Sequence, residues 1–113
     1  MNKFEEALES YKKEMDKLGM KGYDADLLEK VTRALGPSIY NKDSSAVSCS
    51  DKSETDRVKT NFLIKKLGLS DGPELDAAIK EVCEMMGTKN PRKLRAIFYY
   101  QLVKKFKKES VYA

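Results

Sequence analysis

Apolar residues recur three and four positions apart along most of the chain, as they do on one face of an amphipathic helix. No stretch longer than four residues alternates between apolar and polar positions as a half-buried strand does. Gly19 and Gly22 end the first predicted helix. Its apolar positions are Phe4, Leu8, Tyr11, Met15 and Leu18. The pattern therefore predicts an all-α fold.

Capping signals mark a second and a third helix. Asp24 precedes the second helix, and Gly36 followed by Pro37 ends it. Asp51 begins the third helix, with Glu54 three residues later at the spacing of a capping box. The apolar positions of this third helix are Val58, Phe62, Leu63 and Leu67. Gly68 and Leu69 then predict a Schellman ending, because the glycine can adopt a left-handed conformation.

Two further helices follow after short connections. Asp71 and Glu74 repeat the capping-box spacing, and Pro73 lies in the first turn, where its missing N–H is harmless. Asn90 and Pro91 are predicted to open a fifth helix. Its apolar positions are Leu94, Ile97, Phe98, Leu102 and Phe106. The sequence thus predicts five helices around one core, in a single domain spanning residues 1–113.

The exception to short connections is the segment GPSIYNKDSSAVSCSD, residues 36–51. In a structural interpretation, Ile39 and Tyr40 anchor this connector in the core while its polar residues form turns. In a functional interpretation, Tyr40, Asn41 and Asp43 bind a small polar ligand, because long loops in compact domains are often functional. No spacing here matches a phosphate-binding or metal-binding loop.

The charge of the chain is unevenly distributed. The net charge is +4, yet residues 87–108 contain eight basic residues and no acidic one, which leaves 14 basic against 18 acidic residues elsewhere. A basic helix face with an aromatic residue could follow a phosphate backbone while the ring stacks on a base. The candidate nucleic-acid-binding residues are Lys93, Tyr100, Lys104, Lys107 and Lys108. Alternatively, the face is solvated, or the acidic fourth helix neutralises it.

Two other binding modes are less favoured by the sequence. Helices three and four have the outline of a helix-turn-helix, but the fourth helix is too acidic to approach phosphates. Tyr99 and Tyr100 are adjacent on the fifth helix, so one of them could form a surface patch for self-association. The alternative, which we favour, is a central helix that is buried on most of its circumference.

Composition argues against catalysis and metal binding. The chain contains no histidine, which excludes histidine bases, histidine metal ligands and Ser-His or Cys-His nucleophile pairs. No carboxylate pair stands out as a general acid and base, and Met85 and Met86 are typical of core filling. We therefore expect no catalytic residue, no metal site and no cofactor.

Cellular context is suggested by the cysteines and the N-terminal segment. Cys49 and Cys83 have no CxxC spacing and are too few for a disulfide framework, so we expect reduced thiols. The N-terminal residues are charged, and no apolar run is long enough to cross a membrane. These features favour a cytoplasmic protein without membrane contact.

Three segments together resemble a small bacterial family. GPSIYNKD is followed by NFLIKKLGL (residues 61–69), and RAIFYYQLVKKF with KESVY closes the chain. In their order and spacing these segments resemble the family called domain of unknown function 2853. The resemblance extends from the second helix onward and implies a compact helical domain. It implies no activity, and no site residue can be transferred from it.

The sequence-based expectation is a small non-enzymatic interaction or accessory protein that can self-associate. The first alternative is a nucleic-acid-binding module that uses the basic fifth helix. The second is a small-ligand binder or enzyme at the 36–51 loop.

Overall fold

Helices make up most of the computed structural model, which describes residues 3–17, 19, 23–40, 46–86 and 93–112. The α-helices are α1 (Lys3–Lys17), α2 (Ala25–Leu35), α3 (Lys52–Arg57), α4 (Pro73–Met85) and α5 (Arg95–Lys105). Helix α3 continues directly into a π-helical stretch, Val58–Lys66, which we call the π segment. Short 3₁₀ turns follow α2 (Gly36–Tyr40) and α5 (Glu109–Tyr112). The predicted all-α, five-helix fold is confirmed.

Helix α5 is at the centre of the structure. It packs against α1, α2 and α4, and most of its residues are buried. The buried ones are Ala96, Ile97, Phe98, Tyr99, Tyr100, Leu102 and Val103. Because both tyrosines are buried, neither contributes the surface patch that was the less favoured interpretation of this pair. The favoured interpretation, a central helix apolar on most sides, is confirmed.

The ends of α2 are held as the sequence predicts. A side-chain oxygen of Asp24 accepts a hydrogen bond from the Leu27 N–H at 3.1 Å. The backbone N–H of Asp24 in turn donates to the Tyr100 hydroxyl at 2.7 Å, which fixes the start of α2 against α5. Gly36 ends the helix with a φ of 64°, a left-handed conformation that favours glycine.

The π segment differs from the α-helix that the apolar spacing predicts. Its hydrogen bonds close five residues back, as between the Leu67 N–H and the Phe62 carbonyl, so each turn holds between four and five residues. Residues 62 and 63 therefore lie about one turn after residue 58, and residue 67 lies about two turns after it. In an α-helix, residues 58 and 67 would instead be two and a half turns apart, on opposite faces.

Burial explains why the wider helix is favoured. Val58, Phe62, Leu63 and Leu67 are all at most 4% exposed, and only the π geometry places the four on one face. The predicted ending of this helix at Gly68 and Leu69 is confirmed, with a wider turn than that of an α-helix. Gly68 has a φ of 73°, and the Leu69 N–H bonds to the Leu63 carbonyl at 3.0 Å.

A two-residue antiparallel ladder precedes α5. Strand β1 (Ala46–Val47) pairs with strand β2 (Lys93–Leu94), with Ala46 opposite Leu94. The prediction that Leu94 belongs to the fifth helix is therefore wrong, since its backbone is extended and α5 begins at Arg95. The predicted start at Asn90 and Pro91 lies outside the described residues.

One predicted capping box forms in part, and the other does not form. Asp51 caps α3 by accepting from the Ser53 N–H at 3.0 Å, but Glu54 pairs with Arg95 rather than with the cap. Helix α4 has no side-chain cap at all. Its first residue is Pro73, and Asp71 forms an ion pair with Lys59 at 3.0 Å instead. In both helices, an arginine or lysine from another element pairs with a carboxylate of the predicted capping box.

The cysteines correct another expectation. Cys49 and Cys83 form a disulfide that links the connector to α4, so the prediction of reduced thiols is wrong. Cys83 is buried on α4 and Cys49 is half-buried. Sequence spacing alone could not reveal this pair, because 34 residues separate the two cysteines and only the fold brings them together.

Within the part of the chain that the structure describes, no helix is both long enough and apolar enough to cross a membrane.

The π geometry predicts that both Phe62 and Leu63 are required for stability. Substituting Leu63→Ala or Phe62→Ala should each lower the free energy of unfolding by about 2–5 kcal/mol, because both side chains are buried. Asn61→Ala, at an exposed neighbouring position, is the matched control and should change it by less than about 0.5 kcal/mol. Urea denaturation measures all three. A small effect at either Phe62 or Leu63 would contradict the π arrangement.

Candidate functional site

The predicted ligand loop is only partly described. Ile39 is buried, as expected of a core anchor, but Tyr40 is 49% exposed and does not enter the core. The expectation that both residues anchor the connector is therefore wrong for Tyr40. Asn41 and Asp43, the other predicted ligand-binding residues, lie outside the described residues.

Tyr100 does not share a surface with the lysines of the predicted nucleic-acid face. Its side chain is 3% exposed, and its hydroxyl accepts the hydrogen bond from Asp24. A base could stack on this ring only if α2 separated from α5. The backbone of Lys93 lies in strand β2, and the side chain of Lys93 is outside the described part of the structure.

The lysines at the end of α5 are partly neutralised. Lys104 lies 3.5 Å from a carboxylate oxygen of Glu109, and Lys105 lies 2.6 Å from one of Glu81 on α4. The second pair agrees with the alternative that α4 neutralises part of α5. Lys107 is exposed and has a φ of 54°, and Lys108 is half-buried. Of the predicted nucleic-acid residues, Lys104, Lys107 and Lys108 thus remain together near one end of α5.

A groove between α4 and α5 was not predicted from the sequence. It encloses about 280 Å³. Its α4 side carries Glu81, Val82 and Met85, and its α5 side carries Gln101, Lys104 and Lys105. Met85 was interpreted as core filling together with Met86; Met86 is buried, but Met85 is 51% exposed at this groove. The core-filling prediction is therefore wrong for Met85.

The helical period of α4 indicates that Met85 and Met86 differ in burial, a signal that the sequence analysis did not use. Adjacent residues on an α-helix point about 100° apart, so Met85 and Met86 cannot both face the core squarely. Val82 and Met86 are four residues apart and share the buried face. Met85 therefore points away from the core. The argument from helical period that was made for Tyr99 and Tyr100 could have predicted this for Met85 as well.

Charge is divided between the two sides of the groove. Glu81 and the neighbouring exposed residue Glu84 make the α4 side acidic. Lys104 and Lys105 make the α5 side basic. The groove thus has an apolar floor with Met85 on its edge, one acidic rim and one basic rim.

A second cluster connects α3 to the start of α5. A guanidinium nitrogen of Arg95 pairs with a carboxylate oxygen of Glu54, and both side chains are 15% exposed. The other guanidinium nitrogen of Arg95 donates to the Tyr99 hydroxyl at 2.9 Å. The Tyr99 ring stacks on Phe62 of the π segment, with ring centres 3.9 Å apart. Burial raises the pKa of Tyr99, although the Arg95 charge opposes this shift.

This cluster is better suited to holding the fold than to chemistry. A phenol with a raised pKa stays neutral and is a poor base, and each polar group already has a partner. Among the described residues, no three cysteine or carboxylate side chains are grouped so that they could hold a metal ion.

Tyr112 lies near the cluster, close enough for Tyr99 to influence its titration. The Lys66 ammonium lies 5.2 Å from the centre of the Tyr112 ring, a cation–π arrangement between the π segment and the C-terminal turn. Burial, together with the nearby Tyr99, raises the pKa of Tyr112 to about 12. The folded protein therefore favours the neutral form of this phenol.

Comparison with known proteins gives a family but no activity. The family model described as "protein of unknown function (DUF2853)" matches residues 10–110. A search of curated proteins finds no match.

The Glu54–Arg95 pair gives a first prediction for this region. Glu54→Gln should lower the free energy of unfolding by about 1–3 kcal/mol, because Arg95 would keep its charge in a mostly buried position and lose the Glu54 carboxylate. Glu29→Gln is the matched control. Glu29 pairs with Arg33 at 3.7 Å, but both side chains are exposed, so the expected loss is under about 1 kcal/mol. Equal losses in chemical denaturation would contradict a special role for the Arg95 pair.

The Tyr112 phenol predicts an alkaline loss of stability. Because its folded pKa is raised to about 12, its contribution is complete below the unfolded pKa of about 10 and is lost as pH rises through the folded pKa. Since Tyr112 is only partly buried, solvent screening should reduce this contribution to about 1–2 kcal/mol. The measurement is the pH dependence of unfolding above pH ~9, with Tyr112→Phe as control. If both proteins lose the same stability, the phenol is not responsible.

Proposed function

Because the chain belongs to the family of proteins of unknown function DUF2853, whose description gives no activity, we propose a role from its surface. The protein acts by association rather than by catalysis, and its first partner is a second copy of itself. The interface is the groove between α4 and α5. This role corresponds to the small accessory protein expected from the sequence.

The observation that carries this proposal is the exposure of Met85. This apolar side chain points away from the core and is 51% exposed at the groove. Methionine is flexible and polarisable, and it is common at surfaces that bind other proteins. The aliphatic stems of Lys104 and Lys105 extend the apolar surface while their ammonium groups remain in water.

The charges of the two rims favour a second copy as the occupant. If two molecules face each other across a twofold axis parallel to the groove, the acidic rim of one lies opposite the basic rim of the other. Such an isologous interface uses the same patch on both molecules, so each charge contact occurs twice. Glu81 and Glu84 of one copy would then face Lys104 and Lys105 of its partner, and the Glu81–Lys105 contact within each molecule would be exchanged for one between the two. This arrangement supports self-association over binding to a strongly acidic or basic partner.

Nucleic-acid binding remains the alternative from the sequence, with Lys104, Lys107 and Lys108 as its contacts. It is weaker because Tyr100, the aromatic residue of the predicted face, is buried. Binding would have to rely on phosphate contacts alone, and its affinity would fall steeply with salt. Of the three residues of the ligand-binding alternative, the structure describes Tyr40, whose side chain is exposed.

Substitution at Met85 tests the proposed dimer. In sedimentation equilibrium, the mean mass of the wild-type protein should rise with concentration from 12.9 kDa towards twice that value. Met85→Glu should weaken self-association at least about tenfold, because a charge replaces an apolar group that the interface would desolvate. Rim charges predict further weakening at high salt.

Val111→Glu is the matched control for this experiment. Val111 is also an exposed apolar residue, 37% exposed, but it lies in the C-terminal turn outside the groove. It should leave self-association unchanged. A wild-type protein that stays monomeric at all concentrations would overturn the proposal, as would equal effects of Met85→Glu and Val111→Glu.

A further inference from the structure

The Cys49–Cys83 disulfide lines a cavity at the surface. This cavity encloses about 340 Å³ and lies between α3, α4 and the end of the connector. Its lining residues are Cys49, Lys52, Thr55, Asp56, Asp76, Ile79, Lys80 and Cys83. A volume of this size is within the range of small-molecule sites, which begins at about 300 Å³. A small molecule in the cavity would therefore meet the disulfide directly.

The charged side chains that line the cavity balance, with Lys52 and Lys80 against Asp56 and Asp76. Asp56 lies 3.4 Å from the Lys52 ammonium, and Asp76 lies 3.1 Å from that of Lys59. Asp56 thus has a lysine partner of its own, whereas Asp76 shares Lys59 with Asp71. Lys80 makes no ion pair with any described residue. An anionic group that reaches the part of the cavity beside Lys80 would therefore find a counter-charge there.

Lys80 is also placed to act on the disulfide. It lies three residues before Cys83 on α4, and residues at this spacing are neighbours on one helix face. A nearby cation stabilises a cysteine thiolate, which makes that sulfur a better leaving group. The same lysine thus favours both an anionic ligand and the release of Cys83.

We propose that this cavity is a site of thiol–disulfide exchange for a low-molecular-weight thiol that carries a carboxylate, with glutathione as the model compound. The thiolate attacks the Cys49 sulfur, which belongs to the less buried of the two cysteines. A new sulfur–sulfur bond joins the thiol to Cys49. The original bond breaks, and Cys83 leaves as a thiolate with the electron pair.

The exchange can then proceed in either of two balanced ways. The Cys83 thiolate can attack Cys49 again, which restores the disulfide and releases the thiol unchanged. Alternatively, a second thiolate attacks the sulfur of the bound thiol, and Cys49 leaves as a thiolate. In that case two thiols are oxidised to one disulfide, and the protein disulfide is reduced to two thiols.

Trapping the mixed disulfide tests this site. Folded, oxidised protein is incubated with glutathione, quenched with acid and alkylated, and its intact mass and peptides are then measured. The expected product carries one glutathionyl group on Cys49 and one alkyl group on Cys83. A protein purified under oxidising conditions with two free thiols would overturn the proposal. So would a glutathionyl group confined to Cys83, or a folded protein that resists glutathione although the urea-unfolded protein reacts.

The charge preference is tested with a second thiol and a lysine variant. The wild-type protein should react faster with glutathione than with cationic cysteamine, after correction for thiolate fraction. Lys80→Gln should reduce this preference about two- to fivefold, the usual effect of one exposed charge. Lys30→Gln, at an exposed position on α2 outside the cavity, is the matched control and should leave it unchanged. An unchanged preference in Lys80→Gln would overturn the assigned role of that residue.

Discussion

Burial of α5 on most of its circumference is the constraint on which the other contacts depend. A buried helix with two tyrosines needs a partner for each hydroxyl, because an unpaired polar group in the core is costly. Tyr100 finds its partner in the Asp24 N–H at 2.7 Å, and Tyr99 finds its partner in Arg95 at 2.9 Å. Arg95 is itself mostly buried, so it requires the carboxylate of Glu54. The burial of α5 thus determines how α2 and α3 attach to the centre of the protein.

Local signals in the sequence predicted most of the helices because helix propensity, periodicity and capping are short-range properties. The start of α2 at Asp24 and the burial of α5 followed from such signals. The errors arose where a distant residue competed with a local one. Glu54 and Asp71 have the spacing of capping boxes, yet Arg95 and Lys59 take their carboxylates. Leu94 fits a helical stripe, but β1 pairs with it and holds it extended.

The surface sites were less predictable for the same reason. Sequence identified lysines on α5 but could not show that Glu81 and Glu109 lie beside two of them. The groove at Met85 requires two helices in a known orientation, which no periodicity supplies. The disulfide requires the connector to return to α4. In the chain-entropy description, closing a loop of 34 residues contributes about 4 kcal/mol by restricting the unfolded chain.

The π segment has a consequence for how the length of this chain can vary. Its buried positions follow Val58 by four, five and nine residues, which suits a helix with between four and five residues per turn. Removing one exposed residue, Thr60 or Asn61, would change these intervals to three, four and eight, the spacing of an ordinary α-helical stripe. The same apolar side chains would then still reach the core. The segment can therefore absorb a single-residue deletion by exchanging the π-helix for an α-helix, while the helices on either side keep their register.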